Sequence, residues 1–422
     1  MKIKTLILAL ALTGVSAFAQ NKPEVKVYGF VRNFSVFDSR MGKSGTGELY
    51  YYMPYDVDLN EVGEDLNAKS SFKALALTSR LGLNSSWQGD LFKINGKIEA
   101  DFYSGLSGVT GIATFRLRQA YLELVLENLR IRMGQAWHPM AVDVPDCIAL
   151  ESGVPFGPFS RSPQLSLDYS LSDNLSLTGS LLYQMQYTSG GPEGASANYQ
   201  KYSGLPEVYL GLNYKNGGFL ARLGGNFLSI KPRYKGEITA ADGTTYTGFV
   251  SDRLNTASLF LYLQYKKDLF TAKLKTVYGN GNDHLNMHGG YGVTAKHTAP
   301  GEDGHWEYSP TVTSSTWASF SYGKTWKANL LLGYIQSFGT TEWLLEGADH
   351  YLAKNTAANI SSMFRVAPNV SWNYGPFTVA LEYTCTGALY GDKDALNPYG
   401  IASKNQHWVA NHRIELLTKF TF

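Results

Sequence analysis

Arg116 and Arg118 stand two residues apart, as do Arg130 and Arg132, and Lys273 and Lys275. Along an extended chain successive side chains point to opposite faces, so cations at i and i+2 share a face and lie roughly 6.5–7 Å apart. A guanidinium offers a planar fork of donors that grips a carboxylate through two parallel hydrogen bonds. Two such groups in line could hold both carboxylates of a small diacid, or draw anions along a wall. Counting alternate positions from the clearest apolar faces puts Arg80, Lys97, Arg130, Arg132, Arg222, Lys273, Lys275, Arg365 and Arg413 on the polar side, together with Glu99, Asp101, Glu123, Asp168, Glu382 and Glu415. The simpler alternative is mutual neutralisation of these charges in a polar interior. Arg116 and Arg118 share the parity of Leu122, Leu124 and Leu126. Both reach the polar side only if a β-bulge shifts the register between the two groups.

The elements that must position these residues are strands. From Asn405 to Phe422, Trp408, Ala410, Ile414, Leu416, Phe420 and Phe422 alternate with Arg413, Glu415 and Lys419. One face is apolar and the other charged, which suits a strand between lipid and water. Period-two runs bounded by turn residues give about sixteen strands. They span approximately 25–37, 72–87, 91–103, 112–127, 129–137, 164–171, 175–187, 207–215, 218–232, 255–267, 269–280, 311–322, 327–338, 359–374, 377–386 and 405–422. Tight turns such as Asn216-Gly217 and Gly375-Pro376 alternate with long polar loops. The expected architecture is all-β: an antiparallel transmembrane barrel with short periplasmic turns and long extracellular loops. Trp87, Phe92, Tyr214, Phe219, Tyr265, Phe270, Trp326, Trp372, Tyr374 and Phe377 cluster at the short turns, as an aromatic girdle at one membrane interface requires.

The chain opens with Lys2 and Lys4, an apolar run from Leu6 to Leu12, and Ala17-Phe18-Ala19. This pattern reads as a secretory signal peptide over residues 1–19, leaving a single barrel domain over 20–422. The mature part has equal numbers of basic and acidic residues, 35 of each once the two leader lysines are removed. Export and the absence of a basic excess argue against nucleic acid as a partner. Cys147 and Cys385 allow one disulfide at most.

Arg116-Leu117-Arg118-Gln119-Ala120-Tyr121 with Glu123, followed by Gly134-Gln135-Ala136-Trp137, resembles the DcaP-like family of trimeric outer-membrane porins, in which an Arg-rich strand pair leads to a Trp-bearing loop. Val27-Tyr28-Gly29-Phe30-Val31-Arg32 and Ser79-Arg80-Leu81-Gly82-Leu83 are similar to that family's first strands. The resemblance implies passive uptake of small hydrophilic, often anionic, solutes, a homotrimer in outer-membrane lipid, and no cofactor. The aromatic last residue resembles the signal read by the barrel-assembly machinery. His138-Pro139-Met140 departs from the family's usual loop sequence, so no particular substrate is carried over.

Residues 138–163 follow that strand pair, with five prolines, the acids Asp143, Asp146 and Glu151, and apolar Val142, Val144, Ile148 and Phe156. A proline-stiffened segment of this length is expected to be ordered. General porins fold their third loop inward, and the expectation here is an acidic constriction facing the cationic wall, with an outward lid as the alternative. His284, His288, His297 and His305 share a loop with Asp283, Glu302 and Asp303. Their spacing matches no compact ligand motif, so they are expected to be solvated and to hold no metal. No nucleophile elbow, phosphate loop or zinc-protease motif is present. The competing functions are an outer-membrane enzyme, if a Ser and a His meet on the wall, and a structural or adhesive barrel with a blocked lumen.

Overall fold

A computed structural model describes residues 22–45, 48–105, 113–149, 152–353 and 356–422. The proposed leader and Glu151 lie outside the described residues. Sixteen antiparallel strands close into a barrel. They are β1 (Glu24–Asp38), β2 (Ser71–Leu75 and, after a break, Arg80–Gln88), β3 (Lys93–Gly105), β4 (Ala113–Val125), β5 (Leu129–Trp137), β6 (Arg161–Ser170), β7 (Leu175–Leu182) and β8 (Glu207–Asn216). The circuit continues with β9 (Phe219–Ile230), β10 (Leu254–Lys267), β11 (Phe270–Asn280), β12 (Trp306–Gly323), β13 (Trp326–Thr340), β14 (Ile360–Tyr374), β15 (Phe377–Tyr390) and β16 (His407–Thr421). Pairing of β1 with β16, from Phe30↔Thr421 to Asp38↔Arg413, seals the ring. Gly29 and the terminal Phe422 exchange backbone hydrogen bonds of 2.9 and 3.0 Å. Closure leaves no strand edge to be solvated, the condition for crossing a bilayer with strands.

Burial is inverted relative to a soluble sandwich. Ile98 is 55% exposed beside Glu99 at 3%, and Ile414 is 48% exposed between Arg413 at 2% and Glu415 at 1%. This arrangement is stable only where the outer medium is apolar and the inner one polar. The short turns carry the expected chemistry: Gly217 and Gly375 both sit at φ 55°, where a Cβ would be strained. Exposed Trp326, Tyr374 and Phe420 lie beside such turns.

Several boundaries differ from the sequence expectation; the twelfth strand starts at Trp306 rather than 311 and the fifteenth runs to Tyr390 rather than 386. The sixth strand starts at Arg161 rather than 164, because Pro163, although it has no N–H to donate, accepts from Tyr183 through its carbonyl and the ladder continues past it. The seventh ends at Leu182 because the Gln184 amide is taken by the Gln200 side chain at 2.7 Å. Residues 42–54 were expected to be loop. They form a hairpin, Gly42–Gly45 paired with Tyr50–Pro54, whose apolar side chains are buried against the barrel interior.

Candidate functional site

The bulge required to turn both arginines inward is present on β4. Glu99 pairs with Gln119 while Ala100 pairs with Leu117, leaving Arg118 as the extra residue. Leu117 and Leu122 stay on the outer face. Arg116 grips Asp101 through two hydrogen bonds of 3.0 Å, and Arg118 bridges Glu99 at 2.8 Å and Asp101 at 2.7 Å. Arg80 and Lys97 each lie 3.8 Å from Glu99. Arg32 joins from β1, its Nε donating to Thr78. Arg32, Arg80, Arg116 and Arg118 line a cavity of ≈ 200 Å³ together with Trp137 and Val142.

Arg161, which lies beside this cluster, was hidden from sequence reasoning because the strand was placed after Pro163. It is 1% exposed, directly across from Trp137, with its guanidinium 4.6 Å from the Trp137 ring and 5.5 Å from that of Phe159. Its Nη1 and Nη2 have no hydrogen-bond partner among the described residues. The arrangement around Glu99 and Asp101 thus carries more positive than negative charge, and one of its guanidinium groups has donors to spare.

A second cavity of ≈ 200 Å³ shares Trp137 and Val142 with the first and is lined by Arg130, Arg132, Asp168 and Arg222. Arg132 donates to Glu123 at 2.6 Å and Arg130 lies 3.7 Å from the same carboxylate. Among the described residues, neither arginine is paired with Asp143 or Asp146. Asp143 instead meets Arg222 at 3.0 Å, and Asp146 meets Lys273 at 3.2 Å and Lys327 at 3.4 Å. Burial raises the Asp146 carboxyl, but the two ammonium groups outweigh it and hold the group below the ordinary carboxylate range.

The segment after Trp137 makes contacts from β8 to β15. Lys275 donates to the carbonyls of Met140 and Asp143, Ser319 accepts from the Asp146 amide, Arg365 donates to the Val154 carbonyl, and Glu382 accepts from the Ile148 amide. Phe156 packs so closely on β13 that a Cβ at Gly333 would fall 2.6 Å from its ring. Arg365 also donates to the Tyr51 carbonyl, and Arg413 binds Asp38 through two hydrogen bonds while donating to the carbonyls of Glu48 and Leu49. Both arginines were expected to line the passage. They face inward but are 5% and 2% exposed, because the hairpin and the loop segment cover them and use their donors as tethers.

His284 and His288 are buried, contrary to the expectation of a solvated histidine loop. His138 Nε2 and His284 Nε2 both meet Glu207 Oε1, at 3.0 and 3.2 Å, and Asn226 donates to the same oxygen at 2.6 Å. Hydrogen bonding fixes the protons. His138 Nδ1 accepts from the Met140 amide, so its proton sits on Nε2, the atom a metal would need. The cluster is therefore a hydrogen-bonded staple holding the loop to β8. His284 Nδ1 donates to the Gly281 carbonyl, so a second proton on Nε2 is needed to face Glu207 favourably. Burial lowers the His284 pKa, but the charge of Glu207 and its hydrogen bond reverse this and set it above the ordinary imidazole value.

Because the folded value is the higher one, this contribution is complete below about pH 6.5, the ordinary value. It is lost as pH rises through the elevated value. Hydrogen exchange should therefore speed up on the alkaline side at the Phe159 amide, which donates to Leu285, beyond the intrinsic base-catalysed trend. His284→Gln should abolish the additional step; an unchanged step would refute the assignment. Glu207→Ala leaves two buried imidazoles without their acceptor and should destabilise the fold by about 3–5 kcal/mol, read as a lower unfolding midpoint in detergent.

No protein-family model matches the chain, and no curated protein shows significant sequence similarity to it. Among solved structures it is similar to the outer membrane channel DcaP of Acinetobacter baumannii, with TM-score 0.66, 19% identity, and coverage of 95% of this chain and 97% of that one. The anion-selective porin from Comamonas acidovorans superposes with TM-score 0.53 at 12% identity, covering 95% of this chain and 100% of that one. OmpF of Salmonella typhi gives TM-score 0.52 at 13% identity, with coverage of 96% and 100%. The chain thus has the sixteen-stranded barrel fold of the DcaP channel and the porins.

Proposed function

We propose that the chain is an outer-membrane porin, a passive channel for small hydrophilic and preferentially anionic solutes, with no enzymatic activity and no cofactor in that role. The observation that carries the reading is the excess of inward-facing cations, Arg32, Arg80, Lys97, Arg116, Arg118 and Arg161, around Glu99 and Asp101 beside a cavity. The loop at about 138–163 serves as the constriction in this reading, supported by the bonds that its described residues make to β11, β14 and β15. Arg130 and Arg132 form a lower step of the same cationic wall. In a narrow passage between low-dielectric walls such charges are screened less than at an open surface, where the Debye length is about 8 Å at physiological salt. The similarity to the anion-selective porin from Comamonas acidovorans agrees with this reading.

Export by residues 1–19, insertion by the barrel-assembly machinery and a homotrimer in outer-membrane lipid complete the proposal. The exposed Leu122 and Met133, on neighbouring strands, offer an apolar outer face for a second copy. Native mass spectrometry in detergent should give the trimer; a monomer at every protein concentration contradicts it. The channel itself is tested by swelling of liposomes containing purified protein in small neutral sugars and in dicarboxylate salts. Swelling, faster with the dicarboxylates, is expected. The absence of any solute flux and of single-channel current would instead favour the blocked barrel, and hydrolysis of phospholipid by the protein would favour the enzyme.

A further inference from the structure

The strand Gly290–Lys296 pairs with the start of β12, Lys296 opposite Trp306 and Ala295 opposite Glu307. The His297 amide donates to the His305 carbonyl at 2.9 Å, which brings two histidines eight residues apart face to face. Their rings stack at 4.0 Å and 11°. His305, which immediately precedes β12, and Glu307 on it are two residues apart and share that face. Glu307 Oε1 lies 3.2 Å from His297 Nε2 and 3.9 Å from His305 Nε2. One ligand atom from each of the three falls within 4.8 Å of the others.

We propose that His297, His305 and Glu307 bind one divalent transition-metal ion of the zinc or copper(II) class at the long-loop end of the barrel. Tetrahedral bonds of 2.0–2.1 Å place ligand atoms roughly 3.4 Å apart, and the two distances to Glu307 bracket that value. The far side of the His305 ring supports the same assignment. His305 Nδ1 is 2.5 Å from Asp303 Oδ1, and His297 Nδ1 is 3.8 Å from Glu302 Oε1. The Asp303 carboxylate behind the His305 ring takes the Nδ1 proton and leaves that ring's Nε2 as the ligating atom, as outer-shell carboxylates do in histidine metal sites. The buried His138 differs in that its Nδ1 is committed to accepting from the Met140 amide, so its Nε2 cannot give up the proton to an ion. On the other face of the hairpin, Trp306 is held between Lys296 and Arg233, with Arg233 clamped on Asp252. This packing fixes the strand pair that carries the ligands. All three side chains remain partly exposed, so the ion would keep an open position for water.

The test uses untagged, detergent-purified barrel titrated with Zn²⁺ at pH 7.5 by calorimetry. One saturable site per chain is expected, weakened at least about tenfold by His297→Gln or by His305→Gln and about tenfold by Asp303→Asn. Cu²⁺ paramagnetic resonance gives a second readout on any variant that keeps heat-modifiable migration: two coordinating nitrogens in the natural chain, one in each single variant, none in the double. Equal binding by the double variant, or no saturable binding by the natural chain, overturns the site. Channel current should be the same in all of them, so this result stands apart from the porin reading.

Discussion

Replacing residues 143–158 by a short Gly-Ser linker should raise single-channel conductance several-fold. In the proposed reading this segment narrows the passage: Ile148 and Phe156 are buried in the main apolar cluster, and the Ile148 amide and Val154 carbonyl are tied to Glu382 and Arg365. Once it is gone, Lys275, Arg365 and Glu382 lose backbone partners but gain water, so the barrel wall, held by its own ladders, is expected to stay closed. A smaller lesion probes the same contact from the other side. Gly333→Leu puts a branched side chain where the Phe156 ring already lies 2.6 Å from a Cβ position. Overpacking of this kind costs about 1–3 kcal/mol, and the less expensive response is for the loop, not the sheet, to move. Current through that variant should be larger and noisier than in the natural chain. Conductance unchanged by either alteration would mean that the narrowest point lies elsewhere.

The second large effect is expected from Arg116→Ser/Arg118→Ser. Asp101 is fully buried and both of its guanidinium partners disappear, while Glu99 keeps the hydrogen bonds from Tyr28 and Gln119 and, of its cations, Arg80 and Lys97 at 3.8 Å. Leaving a buried carboxylate uncompensated costs about 3–5 kcal/mol, so the unfolding midpoint in detergent should drop markedly and anion preference should fall. Adding Glu99→Gln and Asp101→Asn removes as many negative charges as were lost in positive ones. Stability and ion preference should then recover together, because both follow net charge. Block by a small dicarboxylate should not recover, because the guanidinium forks themselves are missing. Recovery of the block in the fourfold variant would show that these arginines act only through the field.

The strands were legible because a barrel wall between lipid and water imposes a strict period of two, as on β16, and because tight turns at Asn216-Gly217 and Gly375-Pro376 punctuate it. Even the bulge at Arg118 could be anticipated, since parity alone made Arg116 and Leu122 incompatible on a regular strand. What the period could not reveal was contact inside the barrel. Tyr50-Tyr51-Tyr52 has no alternation because the interior covers both sides of that hairpin: Tyr50 meets Phe159, and the ring of Tyr51 lies 5.3 Å from the Arg413 guanidinium. Arg365 and Arg413 were expected to line the lumen; they face inward, but their donors are taken by backbone carbonyls of the hairpin and the loop. Arg161 was missed because a proline two residues on looked like the end of the loop. The pairing of His297 with His305 depends on hairpin register, which spacing in the sequence does not specify.

The central claim, that an excess of inward cations selects anions, is tested most directly by the zero-current potential of the natural chain in a planar bilayer under a tenfold gradient of potassium chloride. With the concentrated side grounded, chloride moving down its gradient faster than potassium makes the dilute side negative, and that sign is predicted. A dilute side that becomes positive, showing that potassium passes more readily, would contradict the account.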